Sequence, residues 1–165
     1  MTVLVSVASK HGATEEIGER IAQELGRAGV AAVVVPPEQV TSLEGFDAIV
    51  LGSGIYAGRW LEPAKRFVER HADGLRARPV WLFSSGPIGD PAKPDGDPTD
   101  AGPMREATMA REHRVIPGRL DRSRLGLAER AITKVVGAAE GDFRPWTEVD
   151  AWARSIAGQL ATPAR

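Results

Sequence analysis

The chain has 165 residues, 42% of them hydrophobic, which predicts one domain over residues 1–165 with a sizeable core. Lys and Arg number 21 against 22 Asp and Glu, and this formal net charge of -1 argues against a nucleic-acid-binding protein. There are no cysteines, which excludes disulfides, thiolate metal sites and cysteine nucleophiles. No apolar run approaches the roughly 18 residues of a membrane span. The N-terminus lacks the basic segment of a signal peptide, so we expect a cytoplasmic protein.

Five short apolar runs rich in β-branched residues predict strands. Most are bounded by Gly, Pro or Ser and show little alternation between apolar and polar residues, a pattern typical of strands buried on both faces. The predicted strands are Thr2 to Ala8, Val30 to Val35, Asp47 to Leu51, Pro79 to Phe83 and His113 to Pro117.

Helical periodicity of the apolar residues predicts four helices, mostly between these strands. Strands that alternate with helices form βαβ units, and right-handed crossovers then build a parallel sheet covered by helices on both faces. The predicted fold class is therefore α/β. The predicted helices are Thr14 to Arg27, Leu61 to Leu75, Leu125 to Ala138 and Thr147 to Leu160.

The stretch from Gly86 to Pro103 is rich in proline and aspartate, and we expect neither helix nor central strand there. Two interpretations stay open. It is a mobile surface loop, or it is a lid over a ligand, because it follows the carboxyl end of a strand. The aspartates do not follow the spacing of a calcium loop, so we predict no metal site.

A possible anion site follows the first predicted strand, at Ser9-Lys10-His11-Gly12-Ala13-Thr14. Two hydroxyls, a glycine and the start of a helix suit a phosphate, because free backbone N–H groups and the helix dipole both attract an anion. Lys10 adds a positive charge. In the alternative interpretation, Thr14 only caps the helix and Gly12 only makes the turn.

Two further stretches follow the third and fourth predicted strands. Tyr56 is the only tyrosine and stands beside glycines, which suits stacking on a planar ligand, whereas Trp60 is expected in the core. Because carboxyl ends of parallel strands meet at one edge, all three stretches would form one site for a flat heterocycle with a phosphate tail. The two stretches are Ser53-Gly54-Ile55-Tyr56-Ala57-Gly58 and Ser84-Ser85-Gly86-Pro87-Ile88-Gly89.

These motifs resemble those of flavodoxin-fold proteins, and most of all those of the menaquinone-dependent protoporphyrinogen oxidase group and its actinobacterial flavodoxin-domain relatives. The similar segments are Ser9 to Ile17, Gly52 to Gly58, Gly141 to Trp146 and Trp152 to Arg154. The resemblance implies a flavodoxin-like three-layer αβα sandwich with a five-stranded parallel sheet of order 2-1-3-4-5. It also implies noncovalently bound FMN.

The resemblance further implies that Ser9 to Thr14 hold the FMN phosphate, and that Ser53 to Gly58 and Ser84 to Gly89 flank the isoalloxazine. Reducing equivalents would pass from a small-molecule substrate to a quinone or similar acceptor, without a protein nucleophile. Two alternatives stay open. One is an electron-transfer flavodoxin with a redox protein as partner, and the other is a binding module that has lost FMN. Arginines between positions 111 and 124 leave open a peripheral contact with an anionic substrate or lipid surface.

Overall fold

Strands and helices alternate along the chain in the computed structural model, which describes residues 1–86, 98–120, 126, 127, 130 and 141–162. The strands are β1 (Thr2–Ala8), β2 (Ala31–Val34), β3 (Ala48–Tyr56), β4 (Arg59–Trp60), β5 (Val80–Ser85), β6 (Glu112–Ile116), β7 (Arg119–Leu120) and β8 (Gly141–Asp142). The helices are α1 (Ala13–Arg27), α2 (Glu62–Arg76), α3 (Ala101–Thr108) and α4 (Trp146–Ala161), and Pro37–Gln39 forms a 3-10 turn.

The main sheet is parallel, with strand order β2-β1-β3-β5-β6. In the register of the central strands, Val5 lies beside Val34 on one side and Val50 on the other. This order confirms the predicted sequence 2-1-3-4-5 of the five parallel strands. Strand β4 adds an antiparallel hairpin to β3, and β7 and β8 form a separate two-stranded sheet.

The central strands β1, β3 and β5 are buried on both faces, as their apolar runs predicted. The same prediction is wrong for β2, because it is an edge strand, and its Val33 is 44% exposed. Val3, Val5 and Val7 of β1 pack in the core under α1 and α4. Leu4 and Ala8 pack in the core on the opposite face, with α2. Side chains of successive strand residues point to opposite faces, so one apolar strand serves both cores. The αβα layering is therefore confirmed.

Helix α1 is amphipathic, and its apolar stripe presses on the sheet. Ile17, Ile21 and Leu25 are fully buried, and each burial stabilises the fold by about 1.5–3 kcal/mol. Helix α4 lies beside α1, and its Trp152 meets Phe83 edge to face with ring centroids 6.0 Å apart. These contacts hold the start of α1 at the carboxyl edge of the sheet.

The structure differs from the sequence predictions at two boundaries. Strand β3 continues to Tyr56 instead of ending at Leu51, because the chain after Leu51 stays paired with β1 and β5 and then forms the hairpin with β4. Helix α3 occupies the end of the stretch that was predicted to contain no helix. Pro103 is tolerated there because it lies in the first turn, where no intrahelical N–H donor is needed.

The other predicted elements form close to their expected positions. The last predicted helix is confirmed as α4, and the fifth strand begins one residue earlier than predicted. The helix predicted at 125–138 falls outside the described residues except 126, 127 and 130. Within the described part of the chain, no helix is both long and apolar enough to cross a bilayer.

Candidate functional site

The turn between β1 and α1 carries the candidate anion site. Gly12 has φ +85° and is the N-cap of α1, and its N–H donates to Ser9 Oγ at 3.0 Å. Among the residues that the structure describes, no side-chain hydrogen bond caps this helix. Helix α1 begins at Ala13, so Thr14 lies inside the first turn and is not the cap. The N-terminal N–H groups of α1 therefore meet no capping side chain, and such groups attract anions.

The end of β3 approaches this turn closely. Residues Ala8 and Ser53 are paired across the parallel strands. A Cβ added to Gly54 would lie 3.2 Å from Thr14 Oγ1, so any larger residue at position 54 would crowd that hydroxyl. Thr14 itself is buried, with 6% of its surface exposed. The first two predicted stretches are thus brought together.

A cation also joins these two stretches. Lys10 Nζ lies 4.2 Å from the centroid of the Tyr56 ring, within the range of a cation–π contact. Lys10 is exposed, whereas Tyr56 and His11 are half-buried. The contact places a positive charge and the only tyrosine of the chain side by side at the carboxyl edge of the sheet.

The second predicted stretch is a hairpin and not an open loop. Ala57 and Gly58 both have positive φ, at 51° and 76°, as a tight two-residue hairpin turn requires. Ser53 is fully buried, and its hydroxyl accepts from the Leu61 N–H at 2.9 Å and donates to the Gly54 carbonyl at 2.8 Å. Ile55 is half-buried and Ala57 is exposed. The hairpin therefore presents its backbone and the Ile55 and Tyr56 side chains to a ligand at this edge. The Ser53 hydroxyl is already hydrogen-bonded within the protein.

The third predicted stretch begins inside β5. Ser84 is fully buried, and its Oγ accepts from Trp60 Nε1 at 2.7 Å and lies 2.7 Å from His113 Nε2. A Cβ on Gly86 would lie 2.7 Å from Ile55 Cβ, so this segment also meets the hairpin. Ser85 is buried as well. Pro87, Ile88 and Gly89 lie outside the described residues.

The predicted core position of Trp60 is confirmed. The sequence did not indicate the contacts that hold this residue in place. It is 2% exposed, and its backbone N–H donates to Asp100 Oδ2 at 2.9 Å. Lys65 and Arg59 also approach the Asp100 carboxylate, at 3.7 and 3.8 Å. This aspartate of the Pro/Asp-rich stretch therefore anchors the hairpin. Within the described ranges, no three metal-binding side chains cluster.

Sequence reasoning also missed Arg144, which touches the start of α1 from the far end of the chain. Its guanidinium donates to the Ala13 carbonyl at 3.3 Å, to Glu16 and to Asp142 at 2.7 Å. The hydrogen bond to Asp142 raises the pKa of Arg144, and the same bond lowers the pKa of Asp142. Both groups are consequently charged near neutral pH. The sequence singles out this tail only as a family motif.

Comparison with known proteins identifies the class. A family model for the flavodoxin domain matches residues 4–144, so the chain belongs to the flavodoxin domain family. Protoporphyrinogen IX dehydrogenase [quinone] of Escherichia coli strain K12 is 26% identical over 174 aligned positions, which cover 95% of each protein. An archaeal flavodoxin superposes with a TM-score of 0.66 at 16% identity, over 98% of this chain and 100% of that one. A mutant of the flavodoxin from Pseudomonas aeruginosa gives a TM-score of 0.65 at 17% identity, with coverage of 98% and 100%.

These similarities agree with the geometry of the site. The solved structures confirm the flavodoxin-like fold. Membership of the flavodoxin domain family supports FMN as the cofactor. Together with the similarity to protoporphyrinogen IX dehydrogenase, family membership supports an FMN-dependent oxidoreductase. The name of that relative includes a quinone, which is consistent with a small-molecule redox partner.

Proposed function

We propose that this chain is a single-domain, cytoplasmic FMN oxidoreductase that oxidises a substrate of the protoporphyrinogen type and reduces a quinone. The observation that carries the proposal is the start of α1, where a left-handed Gly12 opens an N-terminus without a capping side chain beside Ser9, Lys10 and Thr14. The similarity to the quinone-dependent dehydrogenase extends over 95% of both proteins, so it includes more than the phosphate turn.

The turn from Ser9 through Lys10, His11, Gly12 and Ala13 to Thr14 would hold the FMN phosphate. Its donors are backbone N–H groups, hydroxyls and one ammonium, which is the chemistry that a phosphate monoester requires. A Cβ added to Gly12 would find no neighbouring atom of the described chain within 4 Å. A phosphate therefore has room to approach the backbone there. The donor set fits FMN.

The isoalloxazine would lie between the hairpin from Ser53 to Gly58 and the segment from Ser84 to Gly89. When bound, FMN supplies the redox chemistry, because its ring accepts a hydride or single electrons. The chain positions the ring with the half-buried Ile55 and Tyr56 side chains and with backbone at Gly54 and Gly86. Each two-electron oxidation of the substrate releases two hydrogens, which convert one quinone to its quinol.

An electron-transfer flavodoxin is the second candidate, because the solved structures with this fold include flavodoxins. The net charge of -1 disfavours it, since a carrier that docks on basic partners gains rate from a strongly acidic surface. A redox protein would then take the place of the quinone.

Absorption spectroscopy and titration test the proposal. Purified protein titrated with FMN is expected to develop a bound flavin spectrum and to bind FMN much more tightly than riboflavin, which lacks the phosphate. Photoreduced protein should then be oxidised rapidly by menadione, and protoporphyrinogen IX should be converted to fluorescent protoporphyrin in the presence of menadione.

Three outcomes separate the candidates. No saturable FMN binding contradicts both, and leaves a flavodoxin-fold module without cofactor. Tight FMN binding with slow menadione reduction and fast electron exchange with a flavodoxin reductase supports the carrier. Equal affinity for FMN and riboflavin shows that the phosphate is not held at the start of α1.

A further inference from the structure

The segment between β8 and α4 reaches back to the candidate phosphate turn. Arg144 follows β8 and is only 5% exposed in its side chain, although it carries a full charge. Buried arginines are almost always paired. Its guanidinium contacts Asp142, Glu16 and the Ala13 carbonyl, so it bridges the β7–β8 sheet and the first turn of α1.

The contact with Glu16 has an electrostatic consequence at the helix start. Glu16 lies in the first turn of α1, where a carboxylate favours the helix but repels an incoming anion. Arg144 donates to this carboxylate, and Arg119 Nη1 lies 3.6 Å from the same oxygen. Two guanidinium groups thus offset the negative charge of Glu16, one of the two carboxylates in the first turn of α1.

The two arginines come from the small β7–β8 sheet and its flank, because Arg119 lies in β7 and Arg144 follows β8. Arg119 is paired with Asp142 across β7 and β8, and Phe143 donates its N–H to the Gly118 carbonyl at 3.0 Å. A Cβ on Gly118 would lie 3.3 Å from Ser85 Oγ. The β7–β8 sheet therefore lies between the end of β5 and the start of α1, at the carboxyl edge of the main sheet.

We propose that Arg144 is a positioning residue for the FMN phosphate: it fixes the first turn of α1 against the β7–β8 sheet and cancels the charge of Glu16. This inference rests on the proposed function, because it requires an anion at the start of α1. Arg144 acts through Ala13 and Glu16 and needs no contact with the ligand. It gives the Gly141 to Trp146 motif a role in cofactor affinity.

Replacement of the arginine tests the inference in the full-length protein. Arg144→Gln removes the charge and keeps a long polar side chain. Titration calorimetry is expected to show FMN affinity reduced about tenfold, the size of a charge effect at a partly buried helix terminus, while riboflavin affinity stays within about twofold. Arg144→Lys retains the charge and should keep FMN affinity within about threefold of wild type.

A matched control and a rescue separate charge from general stability. Arg154 pairs with Glu24 at 3.3 Å, near the other end of α1. Arg154→Gln also removes one arginine that pairs with a glutamate of α1, and it should leave the affinities for both flavins unchanged. Adding Glu16→Gln to Arg144→Gln should recover most of the FMN affinity, and Glu16→Gln alone should strengthen FMN binding.

Each outcome decides between the inference and the function on which it rests. If wild-type protein binds no FMN, the proposed function is wrong and the role of Arg144 falls with it. If wild type prefers FMN but Arg144→Gln weakens FMN and riboflavin equally, only the positioning role is wrong. Failure of Glu16→Gln to strengthen FMN binding overturns it as well, and this variant remains informative if Arg144→Gln does not fold.

Discussion

Gly12 matters both for the backbone conformation of the turn and for the proposed binding of the phosphate. Its φ of +85° is strained for any residue with a branched side chain. We expect Gly12→Val to lower the free energy of unfolding by about 1–3 kcal/mol and FMN affinity on the order of tenfold or more, because its side chain occupies the space open to the phosphate. Chemical denaturation and FMN titration measure the two effects.

Gly29 provides the matched control for this prediction. It has φ +84°, with nothing within 4 Å of its Cβ position, but it lies beyond the C-terminus of α1. Gly29→Val should therefore cost similar stability and leave FMN affinity unchanged. If both variants bind FMN like wild type, the phosphate does not lie at the Gly12 turn.

Thr14 tests the hydroxyl contribution to the same site. Thr14→Val keeps the shape and removes one hydrogen-bonding group, which contributes about 1.5–3 kcal/mol toward a charged partner. We expect FMN affinity to fall by about 10- to 100-fold in titration calorimetry, with Thr14→Ser close to wild type. Riboflavin is the control ligand, and an equal loss for riboflavin would place the Thr14 hydroxyl away from the phosphate.

In strand β5, a residue that was predicted to line the ligand site stabilises the fold instead. Ser84 accepts from the indole of Trp60, so Ser84→Ala leaves a buried N–H without its acceptor. We expect a loss of about 1–3 kcal/mol in urea denaturation, with the affinities for FMN and riboflavin unchanged. Ser85→Ala, at the next buried position of the strand, should cost less. A large and equal loss of affinity for both flavins in Ser84→Ala would restore a direct role in binding the ring.

The elements themselves were largely predictable, because apolar runs and helical periodicity report burial directly. Their ends were less so. The extension of β3 to Tyr56 depends on pairing with β1, β5 and β4, and glycines in the sequence hide that pairing. Gly52 illustrates the reason: a Cβ there would lie 2.2 Å from Phe83, a packing requirement that no local pattern reveals. Helix α3 was missed because Pro103 suits a helix only at its first turn.

Acid stability is a property of the whole molecule. The hydrogen bond from Arg20 lowers the pKa of Asp150, and that from Arg144 lowers the pKa of Asp142. A carboxyl whose folded pKa is depressed binds more protons when unfolded, so its stabilisation is present above the unfolded pKa of about 4 and is lost as the pH falls through the folded pKa. We expect the free energy of unfolding to decrease as the pH falls below about 5.

Asp150→Asn isolates the contribution of one ion pair to this loss of stability in acid. The bonds from Arg20 to Asp150, 2.6 and 2.7 Å long, join α1 to α4. The variant should be less stable at neutral pH and show a shallower decline in acid, as followed by urea denaturation at several pH values. Asp73→Asn, at an exposed position of α2, is the control. An unchanged acid slope in Asp150→Asn would contradict the ion pair as a source of acid sensitivity.

At the scale of the whole molecule, the composition predicted one domain with a sizeable core, and the ends of three strands predicted one ligand site. The sequence did not indicate the contacts between distant segments. Asp100 holds the hairpin through Trp60, and Arg144 reaches Ala13, although nothing local in either sequence segment indicates its partner. Such pairs arise only when the fold brings separate segments together, so a single sequence carries no signal for them.

The parallel order of the sheet also constrains how the chain folds. Thr2 pairs with Ala31 and Val3 with Ala48, so no pairing of β1 forms before a long intervening segment has closed. Closing such segments costs entropy before any contact compensates it, and proteins with mostly nonlocal contacts fold at the slower end of the range for small domains. Refolding on a timescale of milliseconds to seconds is therefore expected. The first stable nucleus would combine β1, α1 and β3. The turn between β1 and α1, which we assign to the FMN phosphate, would therefore form before Arg144 packs against it.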